Sequence, residues 1–474
     1  MNWMKSRFLR TILALFLVCI TFIFSIAEIT LPAIFCDHMV LQQQSDASIW
    51  GMASSGKTVK VSTSWDQQSY TAKAGNDGHW KLKVKTPVAG GPYDITISDG
   101  KPFVLRDVLI GEVWVCSGQS NMEMPMKGYF NQPILGANEA IATSRNNQIR
   151  LFTVSRVKSL TEAADFKGKW LECNSENVVD FSAAAYFFGR MIQDAIDVPV
   201  GLICSSWGGT RIEPWMSESG FKEFDWVELP NKTMTDEFSP QTPTVLYNAM
   251  IAPMVGYGIK GALWYQGESN RSEPDRYEKL MPGLIKNWRE EWGIGDFSFY
   301  YAQIAPYDYG TSGLNSAYLR EAQFKASHAL PGVGMASLMD VGEKDNIHPA
   351  DKNSVGKRLA YLALAQTYGL KGIAFSGPVF KAMTTEGSLV KLTFDHASNG
   401  LTTFGKELTG FKVAGEDKRF YEAKGYLTRE GITLICDRVS SPVAVRYAFE
   451  DFTIGELFNT EGLPASSFRT DDWE

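Results

Sequence analysis

The chain has 474 residues, 44% hydrophobic and 21% charged, the proportions of a globular protein with room for two or three domains. Its formal net charge is −7 and no basic patch stands out, so nucleic acid is not an expected partner. Six scattered cysteines make neither a disulfide framework nor a zinc site of Cys/His spacing.

At the N-terminus, Lys5, Arg7 and Arg10 precede an apolar run that starts at Ile12, and Ser25-Ile26-Ala27 offers small residues for cleavage. Residues 1–27 read as a signal peptide, which predicts an exported protein, periplasmic or secreted, or lysosomal in a eukaryotic host. No later segment is long and apolar enough to span a bilayer once that segment is removed. Of the remaining cysteines, Cys116 and Cys204 end apolar runs and read as buried thiols.

Residues 28–104 read as a small β-sandwich-like domain. Thr58 to Ser62 and Trp80 to Val84 alternate as half-buried strands do, and Asn76-Asp77-Gly78 and Gly90-Gly91-Pro92 supply turns. From 112 onward the pattern changes to strands alternating with helices. Strands are predicted at 112–116, 199–205, 259–265, 298–305 and 333–339, with helices near 182–196, 274–292, 316–329 and 350–368. In the second helix Tyr277, Leu280, Met281, Leu284, Trp288 and Trp292 recur at helical spacing. Such alternation predicts a parallel sheet covered on both faces, with its site at the carboxyl ends of the strands. Beyond Phe375 the pattern returns to β, at Leu389–Thr393, Gly431–Ile435 and Val443–Tyr447.

Four polar, glycine-bearing loops follow predicted strands of the α/β region. The first is Ser117-Gly-Gln-Ser-Asn121, which holds Ser120 at a strand end. A Gly-x-Ser turn on its own is more often an ordinary turn than a nucleophile, so Ser120 needs partners. The chain holds five histidines: His38, His79, His328, His348 and His396. His348 alone follows the last strand of the α/β region, in Asp345-Asn-Ile-His348-Pro349, with Asp345 three residues before it to orient the ring. Backbone N–H groups of Ser120 and of Gly208 or Gly209 are candidate oxyanion donors, and Gln266 offers a side-chain amide. Glu268 reads as a structural acceptor beneath the site. Arg211 is a candidate for holding a sugar carboxylate, with a structural ion pair as the equal alternative. Met122 stands where a Gly-x-Ser-x-Gly elbow would have its second glycine. Asn231-Lys-Thr and Asn270-Arg-Ser are glycosylation sequons, the second within the third loop.

Taken together, Gly118-Gln-Ser-Asn-Met122, Trp207-Gly-Gly-Thr210, Trp264-Tyr-Gln-Gly-Glu-Ser-Asn270 and Asp345-x-x-His348 resemble the sialate O-acetylesterase family of SGNH-type carbohydrate esterases. Val40-Leu-Gln42, Asp180-Phe-Ser-Ala183, Asn287-Trp-Arg289 and Gly462-Leu-Pro-Ala465 are similar to that family too. The resemblance implies an α/β fold: a flavodoxin-like SGNH hydrolase three-layer α/β/α domain at 105–375, with N- and C-terminal β-rich domains at 28–104 and 376–474. It implies Ser120 as nucleophile, His348 as base and Asp345 as its partner. Ser120, Gly208 and Gln266 become the oxyanion hole, with Gly209 the fallback for Gly208. The implied function is removal of O-acetyl groups from sialic acids through an acetyl-serine, with no metal or organic cofactor and an O-acetylated sugar as the partner. Acetylated xylan or xyloglucan is the alternative substrate class, and a non-catalytic carbohydrate-binding protein is the alternative of another kind. A lipase is disfavoured by the lack of a long apolar lid.

Overall fold

A computed structural model describes residues 29–233, 237–310 and 313–473; the expected signal peptide at 1–27 lies outside the described residues. The N-terminal region is β, as its alternation dictates: β1 (Val40–Gln42), β2 (Asp46–Met52), β3 (Thr58–Thr63), β4 (Ser69–Lys73), β5 (His79–Lys85) and β6 (Gly90–Ser98). In β5, Trp80, Leu82 and Val84 are buried while Lys81, Lys83 and Lys85 face solvent. β2 pairs with β5, and β3 with β4 and β6, all antiparallel.

β7 (Pro102–Gly118) joins this region to the next. Its first part pairs antiparallel with β6, and from Val108 onward every residue is buried. A division expected at 104/105 therefore falls inside one continuous strand. Beyond it come β8 (Asn146–Thr153), β9 (Trp170–Cys173), β10 (Val200–Ser206), β11 (Gly261–Tyr265), β12 (Ser298–Ala302) and β13 (Val333–Ala336). The order across the sheet is β13-β12-β11-β7-β10-β8-β9. The pairs are parallel except β8 with β9, which is antiparallel at the edge. β8 and β9 lie between the strand expected at 112–116 and the helix expected near 182–196, where no strand was expected. Asn146-Asn-Gln-Ile-Arg150 gives no strand pattern because it is polar, yet Arg150 is buried and reaches Asp107 at 2.9 Å.

The helices that bear on the site and its sheet are α1 (Ser120–Glu123), α2 (Ala183–Ile196), α3 (Pro274–Trp292), α4 (Asn315–Ala326) and α5 (Lys352–Leu362), with short helical turns also at Ala137–Ala142 and Ser175–Val178. Ser182 caps α2 by accepting from the Ala185 N–H, and Asp351 caps α5 by accepting from the Ser354 N–H. α3 begins at Pro274 and stops at Gly293, which adopts the left-handed conformation. Alternate residues of the central strands serve opposite faces. Val113, Val115, Ala262 and Trp264 share a core with Leu280, Leu284 and Trp288 of α3. Trp114, Cys116, Leu263 and Tyr265 share another with Ala184, Phe188, Val355 and Leu359 of α2 and α5. Each fully buried Leu or Val in these layers contributes about 1.5–3 kcal/mol, so the sheet is held from both sides.

β10 lies on one side of β7 and β11 on the other, so the chain changes direction across the sheet at β7. That reversal opens a crevice at the carboxyl end of β7, where Ser120 follows. The C-terminal region forms two four-stranded antiparallel sheets and a two-stranded one, with their own core around Phe411, Val413 and Leu434. It is tied to the α/β region by Arg320, which is fully buried and donates to Ser467 Oγ at 3.1 Å. Cys36, Cys116, Cys173, Cys204 and Cys436 are all free thiols. Cys116 and Cys204 are register partners on β7 and β10, and burial pushes the Cys204 thiol up to about 12. No helix among the described residues is long and apolar enough to cross a membrane.

Candidate active site

The turn that presents Ser120 depends on Gly118. Its φ is +138°, and a Cβ there would stand 2.2 Å from the Tyr265 carbonyl oxygen. Only glycine lets β7 approach β11 this closely. The Gln119 N–H then donates to the Tyr265 oxygen at 3.0 Å. The Gln119 side-chain oxygen accepts from Gly267 and Ser269 N–H groups at 3.4 and 3.3 Å. Two of the loops singled out by sequence are thus fastened to each other before any side chain of the reaction is considered.

His348 arrives from the loop before α5. Ser120 Oγ lies 2.8 Å from His348 Nε2, a hydrogen-bond distance for a nucleophile and its base. Burial is the main cause that lowers the His348 pKa to about 4, and the nearby Lys352 charge lowers it further. The ring is therefore neutral near pH 7, with a lone pair open to the serine proton.

Asp345, expected to orient that ring, is exposed, and no hydrogen bond joins it to His348. Gln132 Oε1 stands 2.6 Å from His348 Nδ1 instead. The cause is local: Asn346 Oδ1 accepts from the His348 N–H at 3.0 Å, an Asx turn that carries the 345 side chain outward. His348 and Ser120 are brought together as expected; Asp345 is not.

Beneath Ser120 lies a buried polar chain. Asn121 Oδ1 accepts from Lys352 Nζ at 2.6 Å, and Asn121 Nδ2 donates to Glu268 Oε1 at 2.6 Å and to the Ile347 carbonyl at 3.1 Å. Lys352 is fully buried, which pushes its amine down, and burial pushes the Glu268 carboxyl up. Glu268 is thus an acceptor beneath the site, where sequence placed it. Asn121 and Lys352 were missed. Asn121 stands inside the Gly118–Met122 motif, next to Ser120, so its position was legible. Lys352 looks in sequence like any solvated helix lysine.

The oxyanion candidates separate. The Ser120 N–H opens α1 and donates to no group among the described residues. Gly208 is set against Ser120: a Cβ on it would lie 3.2 Å from Ser120 Cβ. Its N–H donates to Glu123 Oε2 at 2.8 Å, and Glu123 is in turn ion-paired with Arg156. A Cβ on Gly209 would meet nothing within 4 Å and would face open space. Gln266 does not present its amide to the site. It is fully buried, and Nε2 donates to the Thr210 carbonyl at 3.1 Å and to Asn270 Oδ1 at 2.7 Å.

Arg211 is held by carboxylates of the protein itself. It donates to Glu213 Oε1 at 2.8 Å through Nη2, and to Glu213 Oε2 at 3.2 Å through Nε. Nη2 also pairs with Glu273. Of the two roles weighed from sequence, the structure places it in the ion pair. The Asn270 sequon is closed as well, since Asn270 is 1% exposed and its Nδ2 donates to Glu213 at 3.1 Å.

Elsewhere, His38, Asp107 and Glu172 bring ligating atoms within 4.8 Å of one another. Arg150 and His38 both bond Asp107 Oδ2, at 2.9 and 2.6 Å, so a guanidinium already supplies positive charge there. His79 is exposed on β5, and His328 bonds within its own helix end. Neither meets Ser120.

This geometry has counterparts. Residues 110–365 match the family model described as "Carbohydrate esterase, sialic acid-specific acetylesterase". The chain belongs to that family. Sialate O-acetylesterase of Rattus norvegicus is 31% identical over 76% of this chain and 78% of its own length. The Homo sapiens sialate O-acetylesterase is 32% identical over 72% of each. A solved carbohydrate acetylesterase from Xanthomonas citri superposes with a TM-score of 0.86 at 34% identity, covering 94% of this chain and 100% of that one. The protein is a carbohydrate acetylesterase, a carboxylic ester hydrolase that takes O-acetylated carbohydrate as its substrate.

Proposed function

We propose that this esterase removes O-acetyl groups from sialic acids through an acetyl-serine intermediate, on a flavodoxin-like SGNH scaffold. The 2.8 Å contact between Ser120 Oγ and His348 Nε2 carries the mechanism. The curated relatives named sialate O-acetylesterase support the substrate. His348 takes the Ser120 proton as Oγ attacks the acetyl carbonyl. The Ser120 and Gly208 N–H groups hold the oxyanion, Gly208 exchanging the Glu123 carboxylate for it. An anion already accepts from that N–H, which supports the assignment. The C–O bond to the sugar breaks and His348 returns the proton to the leaving oxygen. Water then hydrolyses the acetyl-serine with the same base, and acetate leaves. The basic and apolar N-terminal segment supports export of the protein.

One observation favours a neutral acetylated glycan such as xylan or xyloglucan as a second reading. The arginine that directly follows the Trp207–Thr210 motif, Arg211, is already neutralised by Glu213 and Glu273. Acetate release from O-acetylated sialic acid, acetylated xylan and acetylated xyloglucan, compared by kcat/KM, decides between them. A preference for the neutral polymers overturns the sialate reading. Ser120→Ala at full rate with its fold intact overturns the mechanism.

A further inference from the structure

His348 is held from a direction that neither the Asp345-x-x-His348 spacing nor its loop provides. The segment Tyr129–Gln132 is a tight turn, closed by Tyr129 N–H to the Gln132 oxygen and Gln132 N–H to the Tyr129 oxygen, both at 3.0 Å. Gly128 enters it with φ +78°, and a Cβ there would lie 2.3 Å from the Gln132 oxygen. The turn is anchored to the nucleophile, because Tyr129 Oη donates to the Ser120 carbonyl at 3.2 Å. It is also pressed on the base: the Tyr129 and His348 rings meet edge to face at 5.3 Å. From this platform Gln132 Oε1 reaches His348 Nδ1 at 2.6 Å.

We propose that Gln132 is the positioning residue of the catalytic base, a neutral amide standing where serine hydrolases commonly use a carboxylate. The inference rests on Ser120 and His348 being nucleophile and base. An amide oxygen only accepts, so Nδ1 keeps its proton and Nε2 presents the lone pair to Ser120 Oγ–H. When Ser120 Oγ bonds to the acetyl carbon, its proton moves to Nε2 and the Nδ1–H stays on Gln132. The proton then passes to the sugar oxygen as that C–O bond breaks.

An amide fixes the tautomer as a carboxylate does but adds no negative charge, so it stabilises the imidazolium less. Among the described residues, the other charged groups around His348 do not supply that anion, and Asp345 is exposed and not bonded to the ring. Lys352 of α5 is a cation. Glu268 answers to Asn121, and Glu343 accepts from the Ala350 N–H at 2.7 Å and from Asn346 at 3.2 Å. Asp351 caps α5, Glu123 holds Gly208 and Arg156, and Tyr129 is a phenol whose pKa burial raises. The base therefore stays unprotonated, and usable, well into acid.

The test is the pH profile of p-nitrophenyl acetate hydrolysis by the full chain and its variants, with circular dichroism to check folding. Gln132→Ala is expected to lower kcat by about tenfold or more at unchanged KM, part of the 10²–10⁴ that a positioned base supplies. Gln132→Glu is expected to keep the neutral-pH rate within a few-fold and to move the acidic limb up by about a pH unit or more. Asp345→Asn is expected to change neither rate nor limb. If Asp345→Asn loses the rate while Gln132→Ala keeps it, or if Gln132→Glu leaves the limb in place, the proposal is wrong. Ser120→Ala separates the two readings: an active Ser120→Ala overturns the underlying mechanism, whereas an inactive one with a fully active Gln132→Ala overturns only the role of Gln132.

Discussion

Replacing Lys352 by Met probes the floor of the site. The ammonium is fully buried and donates to Asn121 Oδ1 at 2.6 Å, while Asn121 Nδ2 donates to Glu268 Oε1 at 2.6 Å. Glu268 Oε2 has no hydrogen-bond partner among the described residues, and the charge of Lys352 helps offset the burial of its carboxylate. Met fills nearly the same volume but leaves Asn121 Oδ1 unpaired, at about 1–3 kcal/mol. It also leaves a buried carboxylate without its cation. Removing one partner of such a pair costs about 3–5 kcal/mol in all, a large share of a typical domain's stability. Adding Glu268→Gln removes the stranded charge, so the double variant is expected to recover about 1–3 kcal/mol of that loss. Urea titrations of wild type, both single variants and the double variant, followed by tryptophan fluorescence and by acetate release, measure this coupling. A Lys352→Met variant within about 1 kcal/mol of wild type, or strictly additive losses in the double variant, refutes the idea that Lys352 and Glu268 are coupled through Asn121.

Gly208→Ala sets a methyl group 3.2 Å from Ser120 Cβ and 3.1 Å from Glu123 Oε2, and is expected to cut kcat by about 10²-fold with the fold retained; wild-type kinetics would remove Gly208 from the oxyanion hole. Gly118→Ala forces a Cβ to 2.2 Å from the Tyr265 oxygen at a φ of +138°, so the variant is expected to be insoluble or to unfold far more easily than wild type, which a melting curve reads directly. Arg211→Ala leaves Glu213 and Glu273 without their shared cation and is expected to lower stability by about 1–3 kcal/mol while altering KM equally for sialic acid and neutral acetylated sugars. A KM increase confined to the acidic substrate would return Arg211 to substrate binding.

Most of the α/β framework was legible because its signals are local. The helix expected near 274–292 spans Pro274–Trp292, and that expected near 182–196 spans Ala183–Ile196. Proline, cap residues and helical spacing act within a few positions, so a reader of the chain meets them together. β8 and β9 escaped because β8 buries an arginine and β9 has four residues, too few to show a period. The expected domain division near residue 104 met a strand whose continuity is set by its neighbours, β6 on one stretch and β10 and β11 on the other.

At the site, local signals picked out Ser120 as the nucleophile candidate, at the end of an apolar strand, and His348 as the candidate base, by scarcity of histidines and by place in the chain. That only glycine fits at 118 comes from the tertiary structure, which sets a φ of +138° and brings the Tyr265 oxygen of β11 within 2.2 Å of where a Cβ would stand. Tertiary structure alone decided what each polar atom touches. Gln132 and His348 are 216 positions apart, and no spacing rule connects them. The amide of Gln266 and the guanidinium of Arg211 looked available because their types suit the chemistry. Both are spent, Gln266 on Asn270 of its own loop and Thr210 of another, Arg211 on nearby Glu213 and on Glu273 from another loop. Residue type sets what a group can do; burial and the nearest acceptor decide what it does, because a buried donor left unpaired costs more than the bond it might offer a substrate.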